Sequence, residues 1–164
     1  MRVLAIDYGD RRTGLAFSDL TNTLVGDAFT VEEYDARRLA GRIAAECSSR
    51  GVGTIVLGLP KNMDGSEGPR AEKSRALAAL IEELTGLAPV LWDERRSSVE
   101  AHAILHANGR RERSHKKTVD ALAASLLLEG YLRSLSFCAR GHKPRKPPPG
   151  LYSPAGVLAC WQLS

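Results

Sequence analysis

The feature that most constrains this chain is the stretch Val3–Ser18, V-L-A-I-D-Y-G-D-R-R-T-G-L-A-F-S. Val3 to Ile6 form an unbroken apolar run that stops at Asp7. A run this short, bounded by turn residues, reads as a strand buried on both faces rather than as a helix. Gly9 and Gly14 then bracket a polar turn, and Leu15, Ala16 and Phe17 return as a second strand. A carboxylate at the end of a buried strand is costly unless a partner or a metal meets it. The segment alone leaves two uses for Asp7 open: a ligand, or a turn aspartate capping backbone N–H groups.

The remaining pattern completes a sheet around that strand. Leu24–Val31 reads as a third strand, so the first three strands are consecutive and form an antiparallel meander. Tyr34–Arg50 follows as a helix whose Leu39, Ala40, Ile43, Ala44 and Cys47 share one face, with Gly51 as its stop. Thr54–Gly58 is another buried strand. Leu59–Pro69, with two prolines and two glycines, is a long loop. A helix over Ala71–Leu84 carries Leu77, Leu80, Ile81 and Leu84 on one face, and Pro89–Trp92 is a short strand ending in Asp93-Glu94-Arg95-Arg96. Ser97 and Glu100 have capping-box spacing and start a further helix. A last helix spans Thr118 to about Arg133. Strands separated by helices are parallel. The fold class is α/β: a five-stranded mixed sheet, three strands antiparallel and the last two parallel, with helices on both faces.

A length of 164 residues fits one domain, here 1–133, with 134–164 as an appended tail. Prolines and basic residues such as Lys143, Arg145 and Lys146 make that tail an extended or poorly ordered segment. It holds four basic residues and no acidic one, so it supplies the whole net charge of +4. Residues 1–133 are balanced, and a nucleic-acid reading must rest on local patches. Cys47, Cys138 and Cys160 form no C-x-x-C pair, which points to a reducing compartment and to no zinc ribbon. The N-terminal apolar run is too short for a membrane span or a secretory leader.

Three acidic positions carry the chemistry: Asp7 after the first strand, Asp93-Glu94 after the last, and Asp120 in the final helix. In open α/β sheets, sites form at the carboxyl ends of the parallel strands. Asp120 shares a helical face with Ala123, Ala124 and Leu127, so it faces the sheet. Converging carboxylates repel unless divalent cations seat between them, and Mg²⁺ or Mn²⁺ prefer oxygen ligands. Two such ions cleave phosphodiesters by activating water and stabilising the leaving oxygen. The alternative is three unrelated charges: a turn Asp, an Asp93–Arg ion pair, and Asp120 favoured by its helix N-terminus.

Taken together, Asp7-Tyr8-Gly9 with Arg12-Thr13-Gly14, Gly58-Leu59-Pro60 with Asn62-Met63-Asp64-Gly65, Asp93-Glu94-Arg95, Ala101, Lys116-Lys117, and Asp120 with Ala123-Ala124 resemble the YqgF/RuvX family of pre-16S rRNA nucleases, relatives of RuvC-like Holliday junction resolvases. The blocks recur in family order over residues 2–133. The resemblance implies an RNase H-like fold and a cytoplasmic, metal-dependent nuclease in rRNA maturation. By motif position the catalytic, metal-holding acids are Asp7, Glu94 and Asp120, with Asp93 the alternative to Glu94. The chain departs from the family at Arg96-Ser97-Ser98, where Leu-Thr is usual after D-E-R. It also lacks the further Asp that resolvases carry three residues after the helix Asp; here Ala123 stands.

Basic and polar groups flank these acids. Arg12, Lys61, Asn62, Arg95, Lys116 and Lys117 are the expected phosphate contacts, while Arg110–Arg113 read equally well as solvated surface. His102 and His106 have metal-pair spacing but no H-E-x-x-H glutamate, and read as surface histidines. Aromatics at 5% are scarce for base stacking, so recognition by shape is expected. The implied partners are structured RNA or branched DNA, with ribosomal particles, no membrane, and a monomer or homodimer. Two competing readings are a non-catalytic nucleic-acid or ribosome-binding module of the same fold, and an actin/hexokinase-type ATPase. The latter needs a second domain that a chain of this length does not hold.

Overall fold

The computed structural model describes residues 1–61, 64–93 and 116–139. The expected helix from Ser97, the basic residues Arg110–Arg113, both paired histidines and residues 140–164 of the tail lie outside the described residues. The elements are β1 (Arg2–Tyr8), β2 (Arg12–Ser18), β3 (Val25–Glu32), α1 (Ala36–Arg50), β4 (Val52–Leu59), α2 (Pro69–Thr85), β5 (Val90–Asp93) and α3 (Lys116–Ala139). They build one five-stranded sheet in the order β3-β2-β1-β4-β5. The β1–β2 and β2–β3 pairs are antiparallel; β1–β4 and β4–β5 are parallel.

The all-apolar run of β1 is explained by its central place. Leu4 and Ile6 point to one face, where they meet Leu39 and Ile43 of α1 and Leu77 and Ile81 of α2. Val3 and Ala5 point to the other, where they meet Ala124, Leu127 and Leu128 of α3. With helices on both sides neither face can afford a polar residue until the strand nears its end. Burying each such side chain is worth roughly 1.5–3 kcal/mol. Cys47 is simply part of the α1 core.

The helices begin and end where local chemistry dictates. Asp35 caps α1 by accepting from the Arg38 N–H at 2.8 Å, and Gly51 closes it in the left-handed region at φ 65°. Pro69 opens α2, where a missing N–H costs nothing, and Gly86 closes it at φ 70°. Arg50 locks α1 to the sheet edge. Its guanidinium binds Glu46 and Asp27, each at 2.7 Å, and lies 4.5 Å from the Phe17 ring centroid and 5.4 Å from that of Phe29.

Several boundaries differ from the sequence expectation. Gly14 lies inside β2, not at the end of a turn. Arg12 and Thr13 are already in register with β3 and β1, so the connecting turn is shorter than two glycines suggest. Polar residues at a strand start read as turn when the strand's neighbours are unknown. Leu84 is 44% exposed because the α2 stripe ends at Ile81. α3 starts at Lys116 and runs on to Ala139, past the expected stop near Arg133. The long loop after β4 is partly closed, since Lys61 and Glu67 form an antiparallel bridge.

Candidate functional site

Asp7 is the sixth residue of β1 and pairs across the strand with Gly14. By the two-residue alternation it follows Val3 and Ala5 onto the face covered by α3. α3 comes unusually close there. An ideal Cβ built on Gly14 lies 2.0 Å from the Asp120 carbonyl oxygen and 3.1 Å from the Ala124 Cβ. Glycine is therefore what lets the helix backbone rest directly on β2. The small Ala124 completes the seat, as the helical spacing from Asp120 suggested. The result sets Asp120 beside Asp7, which is 113 residues earlier in the chain.

The electrostatics of the pair follow from that seat. Burial pushes the Asp7 carboxyl up from 3.8 to about 6, the negative charge of Asp120 adds to the rise, and Arg70 opposes it. Burial raises Asp120 as well, while Arg12 pulls it down. Burial is the main cause at both carboxyls, and the charge of Asp120 adds to the cost of ionising Asp7. The Arg12 Nε lies 3.3 Å from Asp120 Oδ2. That oxygen is buried and accepts no hydrogen bond, so the contact is one of charge without donor alignment.

The tip of the β1–β2 hairpin ties three elements to this corner. Asp10 pairs with Lys73 of α2, Arg11 lies over the Tyr34 ring ahead of α1 at 5.6 Å, and Arg12 meets Asp120 of α3. Gly9 makes the tip possible: a Cβ there would lie 2.5 Å from the Arg12 carbonyl oxygen.

The other expected residues are distributed as follows. Asp93 is the last residue of β5 and pairs in register with Leu59. Leu91 packs with the α1–α2 side and Trp92 with the α3 side, so alternation turns Asp93 to the face away from Asp7. Lys61 points at Glu67, 3.7 Å away, and Glu67 also takes two 2.8 Å bonds from Arg75. The Lys61 charge is thus engaged within its own loop. Lys116 and Lys117 open α3, one turn before Asp120. Glu94, Asn62 and Arg95 lie outside the described residues.

Arg70 is the residue that sequence reasoning passed over. It sits in the first turn of α2, exposed, and its charge is felt at Asp7 and Asp10. The available signal was Pro69, which fixes a helix start just after a parallel strand, where sites gather.

The donor set suits a hard cation. Asp7 and Asp120 present carboxylate oxygens, one of them buried without a hydrogen bond, in a place where two negative charges are costly. Among the described residues no group of three or more His, Cys, Asp or Glu gathers as a metal cluster.

Comparison with known proteins agrees with the geometry. The RuvX family, described as Holliday junction resolvase, matches residues 1–134. A protein of Carboxydothermus hydrogenoformans named "Putative pre-16S rRNA nuclease" is 37% identical over 132 residues, covering 80% of this chain and 96% of that protein. One of the same name from Halothermothrix orenii is 40% identical over 136 residues, covering 80% and 94%. Among solved structures, T. thermophilus RuvC in complex with a Holliday junction substrate superposes with a TM-score of 0.56 at 13% identity, covering 83% of this chain and 97% of that one. At that identity the likeness concerns the fold, which is RNase H-like. On the family match and the relatives' coverage, this chain is a member of the RuvX family.

Proposed function

We propose that this chain is a divalent-cation-dependent nuclease that hydrolyses phosphodiester bonds in structured RNA, and that its substrate is the 5′ end of pre-16S rRNA. One observation carries the reading: α3 is seated on Gly14 so that Asp120 faces Asp7 at the carboxyl end of the central strand. A partly buried carboxylate pair of this kind stabilises nothing by itself and is costly to ionise. Asp7 and Asp120, joined by Glu94, are the residues that would hold Mg²⁺ or Mn²⁺. Such an ion, when bound, supplies an activated water and charge stabilisation for the leaving oxygen. Glu94 is preferred to Asp93 because the pleat of β5 turns Asp93 to the opposite face.

The chain's own groups do the rest. Arg12 and Arg70 set positive charge beside the acids and are suited to phosphate. Lys116 and Lys117 precede Asp120 by one helical turn and serve the same backbone. The names of the relatives support rRNA as substrate, and the absence from the described residues of any helix long and apolar enough to cross a membrane is compatible with action in the cytoplasm.

A second reading, cleavage of branched DNA, is favoured by the description of the matched family. The test is a cleavage assay on a structured rRNA precursor and on four-way DNA junctions, with and without Mn²⁺. The precursor is expected to be cut only with the cation, and Asp7→Asn and Asp120→Asn to abolish cutting while leaving the fold intact. Preferential cutting of the junction selects the second reading. Binding without cleavage, unchanged by Asp7→Asn, makes the chain a non-catalytic binding module.

A further inference from the structure

The Arg12–Asp120 contact has an unusual character. The guanidinium Nε stands 3.3 Å from Oδ2, close enough for charge pairing, yet that oxygen accepts no hydrogen bond. Both side chains are partly open to solvent, at 31% and 25%. The backbone under Arg12 is fixed by pairing with β3 and by the neighbouring Asp10–Lys73 and Arg11–Tyr34 contacts. Only the long side chain is free to move, and no aligned bond resists its departure. A guanidinium has donors and no acceptor, so it can never share a cation's coordination shell. A divalent ion bound through Oδ2 and the Arg12 guanidinium compete for the same oxygen and repel each other by charge.

We propose that Arg12 is a resident counter-ion of Asp120 that a divalent cation displaces, and that the displaced guanidinium then takes the phosphodiester. The inference rests on reading Asp7 and Asp120 as cation ligands. Arg12 is then a positioning residue that couples two binding events. Its ion pair lowers cation affinity, and the cation in turn frees five fork-shaped donors matched to a phosphate. By linkage, cation and nucleic acid strengthen each other's binding through this one side chain.

Isothermal titration of Mn²⁺ into the full chain tests it directly. A partly exposed ion pair is worth on the order of 1 kcal/mol, so Arg12→Gln is expected to bind Mn²⁺ about fivefold tighter than wild type. Arg12→Met keeps the stem and carries the same expectation should the Gln variant fail to fold. A second measurement needs no variant: the Arg12 Nε–Hε resonance of the wild-type chain is expected to move as Mg²⁺ is added. Equal or weaker Mn²⁺ affinity in the neutral variants, or an Arg12 resonance unmoved at saturating Mg²⁺, overturns the displacement. If Asp7→Asn and Asp120→Asn abolish Mn²⁺ binding in the same titrations, the carboxylate pair stands even so. If those two bind Mn²⁺ as wild type does, the pair itself is not the cation site, and both readings fall. On the nucleic-acid side, Ca²⁺ is expected to tighten wild-type binding of a labelled rRNA precursor, and to do so several-fold less in Arg12→Gln. Equal enhancement in both chains refutes the handover to phosphate.

Discussion

Replacing Gly14 with alanine tests the seat on which the site is built. The added methyl would lie 2.0 Å from the Asp120 carbonyl oxygen, 2.7 Å from its carbonyl carbon and 3.1 Å from the Ala124 Cβ. Gly14 is not among the glycines at positive φ, so alanine brings no backbone strain and the whole effect is steric. The obstacle is helix backbone, which cannot rotate away as a side chain would. Reaching an ordinary contact of 3.4 Å requires α3 to lift or slide by roughly 1.4 Å. Overpacking of this kind costs about 1–3 kcal/mol, a fall in Tm of roughly 2–10 °C for a domain of this size. The larger effect is expected on chemistry: a displacement near 1 Å of one acid from the other costs ~10²-fold in rate. The measurements are a thermal melt by circular dichroism and Mn²⁺-dependent cleavage of the rRNA precursor, run on the same preparation. Retention of the wild-type melting point and of a rate within about threefold of wild type would show that the helix does not need this glycine. Close approach of α3 to β2 would then not be what places Asp120 beside Asp7.

Three further outcomes are expected. Gly41 is in the exposed interior of α1 with nothing within 4 Å of a built Cβ, so Gly41→Ala should stabilise the chain by about 0.5–1 kcal/mol in urea titration; a loss of stability would expose an unseen contact. Asp7 has a folded-state pKa raised from 3.8 to about 6, so its ionisation opposes folding. The stability it allows is fully present below about pH 4, falls as pH rises through about 6, and the penalty then stays constant at roughly 2–3 kcal/mol. Asp7→Asn, with chelator present, should therefore melt higher than wild type at pH 7.5 and lose that advantage near pH 4; a pH-independent difference contradicts the assignment. Arg50→Ala removes the bridge from α1 to Asp27 and the contact with Phe17 and Phe29, and should cost about 1–2 kcal/mol in the same titration; a neutral result would make the pairing incidental.

The meander and the helix-separated strands that follow it were legible because they depend on local pattern. Val3–Ile6 had to be buried on both faces whatever surrounded it, and the two-residue and 3.6-residue periods of the other segments admit few alternatives. Gly51 and Gly86 mark helix ends by backbone chemistry that acts within a few residues, whereas the helices start at Ala36 and Pro69, not at the expected Tyr34 and Ala71. The apolar neighbours of Asp120 in its helix, Ala124 and Leu127, were enough to turn it toward the sheet. Where local signals misled, as with Gly14 taken for a turn, the cause was a polar strand start whose partners lie elsewhere in the chain.

Four things belong to the tertiary structure alone. The proximity of Asp7 and Asp120 depends on a missing Cβ in a third element, β2. The direction of Asp93 depends on which neighbours its strand mates pack against. The engagement of Lys61 with Glu67 depends on how its loop closes, and the nearness of Arg70 and Arg12 to the acids depends on where α2 and the hairpin tip dock. Each is a relation between groups far apart in sequence, set by packing and by charge at distances of a few ångströms. Composition and periodicity report what a residue must do with respect to water. They do not report which other residue it will meet.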